Sequence, residues 1–240
     1  MVIAHRGASS YAPENTFAAF DLAIQMGVSH IELDVHFTQD NHIVVIHDDT
    51  VDRTTSGGGP VTSHTLAALK ALDAGSWFDR KFSGERIRTL SEILQRYKGR
   101  VHIHTEIKGH SAHLSEQTAD LVRKHGMAEH VTITSFQKAR LEETRAHAPD
   151  LPTGWLVAEV SDVVIAQARA LGLTQLCPKA SAITPTLVQR LHADGFVVRA
   201  WGVATEDLMR QVVKAGADGM TVNFPDKLLA YLKESRERPC

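Results

Sequence analysis

The chain has 240 residues, of which 43% are hydrophobic and 22% charged, and its formal net charge is -2. This length and composition suit one large globular domain, and the lack of a basic surplus argues against a nucleic-acid or anionic-membrane partner. No stretch is long and apolar enough to span a bilayer. The two cysteines, Cys177 and Cys240, do not make a disulfide framework, so the reducing cytoplasm is the expected location.

Helix-like segments that end in Gly, each followed by an extended apolar run, recur along the chain. Gly suits the position just past a helix, and runs rich in Val, Ile, Leu and Thr suit buried strands. This alternation predicts βα units and a parallel sheet. The predicted strands cover residues 2–6, 29–35, 101–107, 131–135, 154–157, 175–179, 196–201 and 219–222.

Eight βα units in a chain of this length are typical of a TIM barrel. An open doubly wound sheet is the alternative, and it predicts a Gly-rich nucleotide loop after the first strand. The segment that follows, "GASSYAPENT" (7–16), does not match GxGxxG. The sequence therefore predicts an α/β protein with a TIM (β/α)8 barrel, in a single domain over residues 1–240.

Two helices have readable starts and one segment interrupts the barrel pattern. The first helix is expected to begin near Pro13 and Glu14, and a later helix at Thr184 with Pro185 first. Residues 39–88 interrupt the pattern, with "TQDNH" as a turn that suggests a hairpin-like extension. An insertion after the carboxyl end of a barrel strand lies on the catalytic face.

Carboxylates stand out in two of the predicted strands. Glu32 and Asp34 in "IELDV" are two residues apart, so they face the same side of a strand, and Glu106 occupies a similar place in "TEIK". Converging buried carboxylates demand a compensating cation, and hard oxygen ligands select Mg²⁺ or Ca²⁺ over zinc. Exposed strand-end acids are the alternative, but the set on two apolar strands favours a metal site.

Two of the fourteen histidines have a distinctive context. His5 and His47 each follow an apolar strand run and precede a charged residue, a placement that suits proton transfer near neutral pH. A structural histidine is the alternative for either one. His102 and His104 share a strand with Glu106 and leave open a zinc site, although His104 lies one pleat deeper than the carboxylate.

Cationic residues surround the same predicted mouth. Arg6, Lys108 and Arg53 would each be a solvated surface charge if they stood alone. Together with carboxylates and a divalent ion they make a phosphate site plausible. A P-loop is missing from the sequence, so use of a nucleoside triphosphate is not implied.

The residues described above, taken in their order along the chain, resemble those of the glycerophosphodiester phosphodiesterase family. The resemblance runs from residue 2 to about 230, and its ordered set of motifs is highly specific although each motif alone is weak. It implies a TIM barrel with a small inserted subdomain after the second strand. The matching motifs are "AHRG" (4–7), "PENT" (13–16), "IELDV" (31–35), "HDDTVDRTT" (47–55), "EIK" (106–108), "SF" (135–136), "AWGV" (200–203) and "GADGMTVNFPD" (216–226).

The resemblance implies hydrolysis of a glycerophosphodiester to sn-glycerol 3-phosphate and an alcohol, with Mg²⁺ or Ca²⁺ as cofactor. The roles it implies are general acid and base for His5 and His47, metal ligation for Glu32, Asp34 and Glu106, phosphate contact for Arg6 and Lys108, a place by the metal for Asn15, and contact with the glycerol or alcohol for Trp201 and Phe136. His104 and Asn223 depart from the residues common in the family, and we expect neither to touch this set.

Other functions remain open at this stage. A lysophospholipase D-like enzyme would act on a larger lipid diester and would need an apolar entrance to its site. Trp77, Phe78 and Phe82 could form such an entrance. These aromatic residues could equally pack the insertion against the barrel. A non-catalytic barrel is expected to have lost a histidine or carboxylate, and a metal-dependent sugar isomerase does not explain Arg6 and Lys108. The expected partner is a small diester, with no nucleic acid and no membrane anchor, and a homodimer is compatible with the sequence.

Overall fold

The structure, a computed structural model, describes residues 1–237. Their backbone forms ten strands: β1 (Val2–His5), β2 (His30–Phe37), β3 (Ile43–Val45), β4 (Arg88–Thr89), β5 (His102–Ile107), β6 (Val131–Ser135), β7 (Thr153–Val157), β8 (Gln175–Pro178), β9 (Val197–Val203) and β10 (Gly219–Val222). Eight of these strands are parallel and close into a barrel, because β1 pairs with both β10 and β2. The predicted TIM barrel is confirmed, and each predicted strand overlaps an observed one.

Helices lie between the barrel strands. Those in the described residues are α1 (Phe17–Gln25), α2 (Leu66–Ala71), α3 (Leu90–Tyr97), α4 (Leu114–Lys124), α5 (Lys138–His147), α6 (Asp162–Ala170), α7 (Pro185–Ala193), α8 (Glu206–Lys214) and α9 (Pro225–Glu237). As predicted, α7 begins at Pro185 after the N-cap Thr184. The predicted start of the first helix is wrong: Thr16 caps α1, and Pro13 and Glu14 lie in the preceding loop.

Alternate residues of the barrel strands face opposite layers. On β2, the side chains of Ile31, Leu33 and Val35 belong to the main hydrophobic core between the strands and the helices. The residues between them, Glu32 and Asp34, are buried on the inner side. The interior of a TIM barrel is usually filled by branched apolar side chains, so buried acids there require a specific compensation.

The segment between β2 and α3 extends the sheet beyond the barrel. Strand β3 is antiparallel to β2, with Val35 opposite Val45, and β4 is antiparallel to β3. This segment has a small hydrophobic cluster of its own, which contains Val44, Ile46, Val51, Val61, Leu69, Ala74 and Ile87. The cluster anchors the chain that continues from β3, and that chain carries His47 to the barrel mouth.

None of the helices within residues 1–237 combines the length and apolar character needed to cross a membrane. Cys177 is a buried free thiol on β8. Cys240, the second cysteine of the sequence, lies outside the described residues. The buried position of Cys177 suits a packing role, since a thiol in such surroundings is unreactive.

Candidate active site

The loop after β1 adopts an unusual backbone that brings the main chain to the carboxylates. Arg6 and Gly7 have φ of 55° and 85°, and a side chain on Gly7 would come within 2.5 Å of the backbone of Ala19. This turn lets the backbone N–H of Arg6 donate a hydrogen bond to Glu32 Oε2 over 3.1 Å. Positive φ at a residue other than Gly costs free energy and often marks a functional site.

Three carboxylates from two adjacent strands form a buried cluster. Asp34 of β2 is in register with Glu106 of β5, and one oxygen of each acid, with one of Glu32, lies within 4.8 Å of the others. Burial and the neighbouring acids raise the pKa of Glu32 well above its ordinary range, and burial and Asp34 raise that of Glu106 to about 7. These raised pKa values mean that burial disfavours the ionised acids, so an added positive charge beside them would stabilise their ionised form.

The cluster suits a hard divalent cation. Among residues 1–237 it is the group whose ligand atoms converge closely enough to hold a metal, and the zinc alternative with His102 and His104 does not form such a group. Asp34 Oδ1 is buried with no hydrogen-bond donor from the described residues. Asn15, with φ of 58°, donates from Nδ2 to Asp34 Oδ2 over 3.0 Å. An all-oxygen set with a spare buried oxygen fits Mg²⁺ or Ca²⁺.

Two cationic side chains contact the cluster from the mouth of the barrel. Arg6 Nε lies 3.3 Å from Asp34 Oδ2, and Lys108 Nζ lies 3.0 Å from Glu106 Oε1. Both cations reach the same cavity as the carboxylates. They can therefore neutralise the acids and, when an anion enters the cavity, bind that anion.

His5 lies at the end of β1, beside the carboxylates. Its Nδ1 is 2.6 Å from Asn223 Oδ1, and because an amide oxygen only accepts, Nδ1 carries the proton and Nε2 is free. Nε2 is 4.0 Å from Glu32 Oε2. Burial and the charge of Arg6 lower the pKa of His5 to about 4. His5 is thus neutral at physiological pH, with a lone pair available on Nε2.

His47 is held by a chain of charged groups. Its Nδ1 is 2.6 Å from Asp48 Oδ1, and Arg53 Nε donates to Asp48 Oδ2 over 2.6 Å. Arg53 also donates two hydrogen bonds to Glu14, which in turn accepts one from Arg6 over 2.9 Å. The hydrogen bonds from Arg53 and His47 keep the pKa of Asp48 well below its usual range. A permanently ionised Asp48 fixes the tautomer and orientation of the His47 ring.

A cavity of about 290 Å³ joins the two histidines, the carboxylates of Glu32 and Glu106, and the cations. One wall is aromatic: the rings of Phe136 and Trp201 stack edge to face with centroids 4.8 Å apart, and Trp201 Nε1 donates to Val157 O over 3.0 Å. Phe136 is 40% exposed. An apolar wall opposite a charged cluster suits a small molecule with a carbon chain and an anionic group.

A second cavity of about 430 Å³ shares the walls formed by His47, Glu106, Lys108 and Phe136. Its remaining lining is mostly polar and contains His36, Asp48, Asp49, Ile107, His110, Ser135 and Gln137. His5 lines the first cavity and not this one. The site therefore has two compartments, which meet at these four shared side chains.

The structure brings together the predicted site residues and adds others. All ten side chains named from the sequence lie in or beside the first cavity or contact its residues. The expectation that Asn223 lies apart from this set is wrong, since it binds His5 directly. The sequence motifs contain Glu14 and Asp48, but the sequence analysis assigned no role to either residue. The position of Asp48 next to His47 is a signal from which its role could have been predicted.

The fold and site define a TIM-barrel enzyme whose mouth is equipped for a small phosphorylated molecule. Comparison with known proteins agrees with that class. The sequence profile of the "Glycerophosphoryl diester phosphodiesterase family" matches residues 5–227. A glycerophosphodiester phosphodiesterase of Caldanaerobacter subterraneus subsp. tengcongensis is 37% identical over 238 residues, which cover 98% of each chain. One of Bacillus subtilis (strain 168) is 32% identical over 94% of this chain and 84% of its own.

Solved structures give the same result. The glycerophosphodiester phosphodiesterase of Agrobacterium tumefaciens str. C58 has a TM-score of 0.84 and 30% identity, over 95% of this chain and 98% of its own. An Oleispira antarctica phosphodiesterase in complex with the product sn-glycerol-3-phosphate has a TM-score of 0.89 and 30% identity, over 97% and 96% of the two chains. The chain belongs to the glycerophosphoryl diester phosphodiesterase family.

Proposed function

We propose that the chain hydrolyses glycerophosphodiesters to sn-glycerol 3-phosphate and an alcohol. Family membership makes it a phosphoric diester hydrolase. The observation that carries the proposal is a cavity of about 290 Å³ whose walls hold two histidines, two cations and the carboxylates of Glu32 and Glu106, with Asp34 completing the carboxylate cluster beside it. The complex of the Oleispira antarctica phosphodiesterase with sn-glycerol-3-phosphate supports this product.

Glu32, Asp34 and Glu106 would hold the cofactor, Mg²⁺ or Ca²⁺. When bound, the cation supplies positive charge to the phosphoryl oxygens and acidifies a nearby hydroxyl. Arg6 and Lys108 would bind the phosphate from the mouth and orient it for in-line displacement. The backbone N–H of Arg6 and the side-chain amide of Asn15 keep the acids in place through hydrogen bonds to Glu32 and Asp34.

The hydrogen bonds of the two histidines support different roles for them. His5 is neutral, with Nε2 unprotonated, so it would accept the proton of the attacking hydroxyl. The attacking hydroxyl is either water, which gives sn-glycerol 3-phosphate directly, or the 2-OH of the glycerol, which gives a cyclic phosphate that water then opens to sn-glycerol 3-phosphate. His47 would give a proton to the departing alkoxide from Nε2, while Nδ1 stays bonded to Asp48.

The two compartments support an assignment of the two halves of the substrate. The glycerol would lie against Trp201 and Phe136 in the cavity that contains His5. The departing alcohol would lie in the larger polar cavity, which His47 lines and His5 does not. Each histidine then faces the oxygen on which it acts.

The test of the histidine roles uses His5→Ala and His47→Ala with release of glycerol 3-phosphate as the readout. Each variant is expected to fold and to lose about 10²-fold or more of the turnover on glycerophosphocholine. On glycerophospho-p-nitrophenol, whose leaving group departs without a general acid, His47→Ala is expected to recover most of its activity and His5→Ala is not. Full activity of either variant on glycerophosphocholine would contradict its role.

Treatment with EDTA followed by Mg²⁺ or Ca²⁺ tests the cofactor. Activity is expected to disappear on chelation and to return with one of the two ions, and Glu32→Gln is expected to prevent the return. Full activity of the chelated protein would overturn the three-carboxylate site. A matched exposed variant, Glu159→Gln, controls for the loss of a carboxylate elsewhere.

Small diesters fit the site better than lysophospholipids do. Trp77, Phe78 and Phe82 stack on one another in the inserted segment and line neither cavity. Faster turnover of glycerophosphocholine than of lysophosphatidylcholine is therefore expected. The sparse cysteines, with Cys177 a buried free thiol, support the cytoplasm as the location.

A further inference from the structure

Arg199 is the largest buried side chain of the barrel interior that the proposed reaction does not use. It lies on β9, is 1% exposed, and contributes to the floor of the cavity that contains the carboxylates. Its Nε, Nη1 and Nη2 have no oxygen acceptor among residues 1–237, and its contact with the Cys177 thiol supplies only a weak hydrogen bond. A buried guanidinium without a carboxylate or carbonyl partner is costly, so its presence demands an electrostatic explanation.

The explanation lies in its neighbours. Arg199 shares the walls of one cavity with the buried acids Glu32 and Glu106. The other titratable neighbours of its guanidinium are His104 and the Cys177 thiol. His104 is neutral because burial and the charge of Arg199 lower its pKa. The acids are therefore the negative charges that Arg199 can offset.

Arg199 differs from the cations at the mouth. Arg6 and Lys108 are ion-paired with Asp34 and Glu106 at 3.3 and 3.0 Å, and both reach the cavity that would receive the phosphate. Arg199 lines the same cavity, but its guanidinium nitrogens are buried and it forms no ion pair with an acid among residues 1–237.

We propose that Arg199 is a positioning residue that supplies a permanent counter-charge to Glu32, Asp34 and Glu106 from inside the barrel. This charge keeps the acids in the barrel before a divalent cation binds and lowers the affinity for that cation. The inference rests on the metal site of the proposed function. It assigns Arg199 no contact with the substrate.

The sign of the effect follows from the charges. Without a bound cation, Arg199 is attracted by the full negative charge of the cluster. A divalent cation cancels most of that charge, so the same guanidinium then gains much less. Loss of Arg199 therefore destabilises the metal-free protein more than the metal-bound protein, and by linkage it tightens metal binding.

The experiment compares Arg199→Met, which keeps the length of the side chain without its charge, with Arg199→Lys, which restores a charge. Thermal unfolding is measured in EDTA and with saturating Mg²⁺ or Ca²⁺, and calorimetry gives the Kd of each ion alone. Arg199→Met is expected to lower the metal-free Tm by several degrees more than the metal-bound Tm, and to lower the Kd by about tenfold. For Arg199→Lys, both Tm values and the Kd are expected to lie closer to those of the wild type. Gln175→Met removes another buried polar side chain of the interior without removing a charge, and it is expected to change both Tm values alike.

Each of the following results would overturn the proposal. Equal losses of Tm with and without the ion would show that Arg199 only fills space. A weaker affinity for the ion in Arg199→Met would show that the side chain shapes the ligands and does not compete with the cation. Wild-type protein that binds neither ion would overturn the metal site itself, and with it this inference, whereas normal wild-type binding that Arg199→Met leaves unchanged would refute the role of Arg199 alone.

Discussion

With a chelator present, we expect Glu106 to make a contribution to stability that is lost as the pH rises from about 5 to 8. Glu106 is 7% exposed and lies beside Asp34 in the barrel. The buried histidines His5, His102 and His104, whose pKa values are lowered, act in the opposite direction, so the contribution of Glu106 is measured against a variant that lacks its carboxyl. The pKa of Glu106 is about 7 in the folded protein, against the ordinary value of 4.5. Between these two values the folded chain binds one more proton than the unfolded chain. The stabilising contribution is therefore complete below about 4.5 and is lost as the pH rises through 7.

The size of the loss follows from the shift. One pKa unit corresponds to about 1.4 kcal/mol, so the rise of Glu106 from 4.5 to about 7 gives about 3 kcal/mol. For a chain of this length that corresponds to a decrease in Tm of about 6–12 °C. Glu32, whose pKa is also raised by burial and the neighbouring acids, adds to the loss. A bound divalent cation replaces the proton, so the loss disappears when Mg²⁺ or Ca²⁺ saturates the site.

Urea unfolding measures the effect, at pH values from 5 to 8 in EDTA and again with the ion. Glu106→Gln is the matched variant, since it keeps the shape of the side chain and cannot titrate. The stability of the chelated wild type minus that of Glu106→Gln is expected to fall by about 3 kcal/mol from pH 5 to 8. A difference between the two proteins that does not fall over this range would refute the reasoning.

Three further substitutions test single contacts. Asp48→Asn is expected to lower kcat by about 10-fold or more with little change in KM, because the ionised partner of His47 is lost; an unchanged kcat contradicts this. Asn223→Asp places a charge 2.6 Å from His5 Nδ1, which raises the pKa of His5 by about one to three units. Imidazole NMR and the acid limb of kcat/KM both report that change, and an unmoved titration argues against the contact. Gly7→Ala is expected to lower the free energy of unfolding, measured in urea, by about 2 kcal/mol or more. The φ of Gly7 is 85°, and the added Cβ would clash with the backbone of Ala19 in α1.

The barrel could be predicted from sequence because its signals are local. Each βα unit has its own Gly and its own apolar run, and the predicted strand 219–222 coincides with β10. The start of α1 was predicted wrongly for a functional reason. Proline is common in the first turn of a helix, which is why Pro13 predicted the start. In the structure Asn15 has a left-handed backbone and Glu14 pairs with cations of the site. The helix therefore begins only after Thr16.

The site could be predicted only in part, because many of its contacts are long-range. The spacing of Glu32 and Asp34 on one strand places both on one face, and this pattern is readable from the sequence. The contact between His5 and Asn223 joins residues 218 positions apart, and it exists because β1 closes the barrel against β10. Arg199 carries no sequence signal, since its importance comes from the absence of a carboxylate or carbonyl partner inside the barrel.

The same alternation that builds the barrel also determines how its site is charged. Outward residues such as Leu33 form the core with the helices, while the inward residues of β2, β5 and β9 place acids, a histidine and Arg199 in one enclosed volume. The acids are then balanced from the mouth by Arg6 and Lys108 and from the interior by Arg199. Arg6 pairs with Asp34 and Lys108 with Glu106, while Arg199 lines the same cavity. A change in any one of the three cations is therefore expected to alter the stability of the metal-free fold and the metal affinity together, and a change in Arg6 or Lys108 also alters phosphate binding.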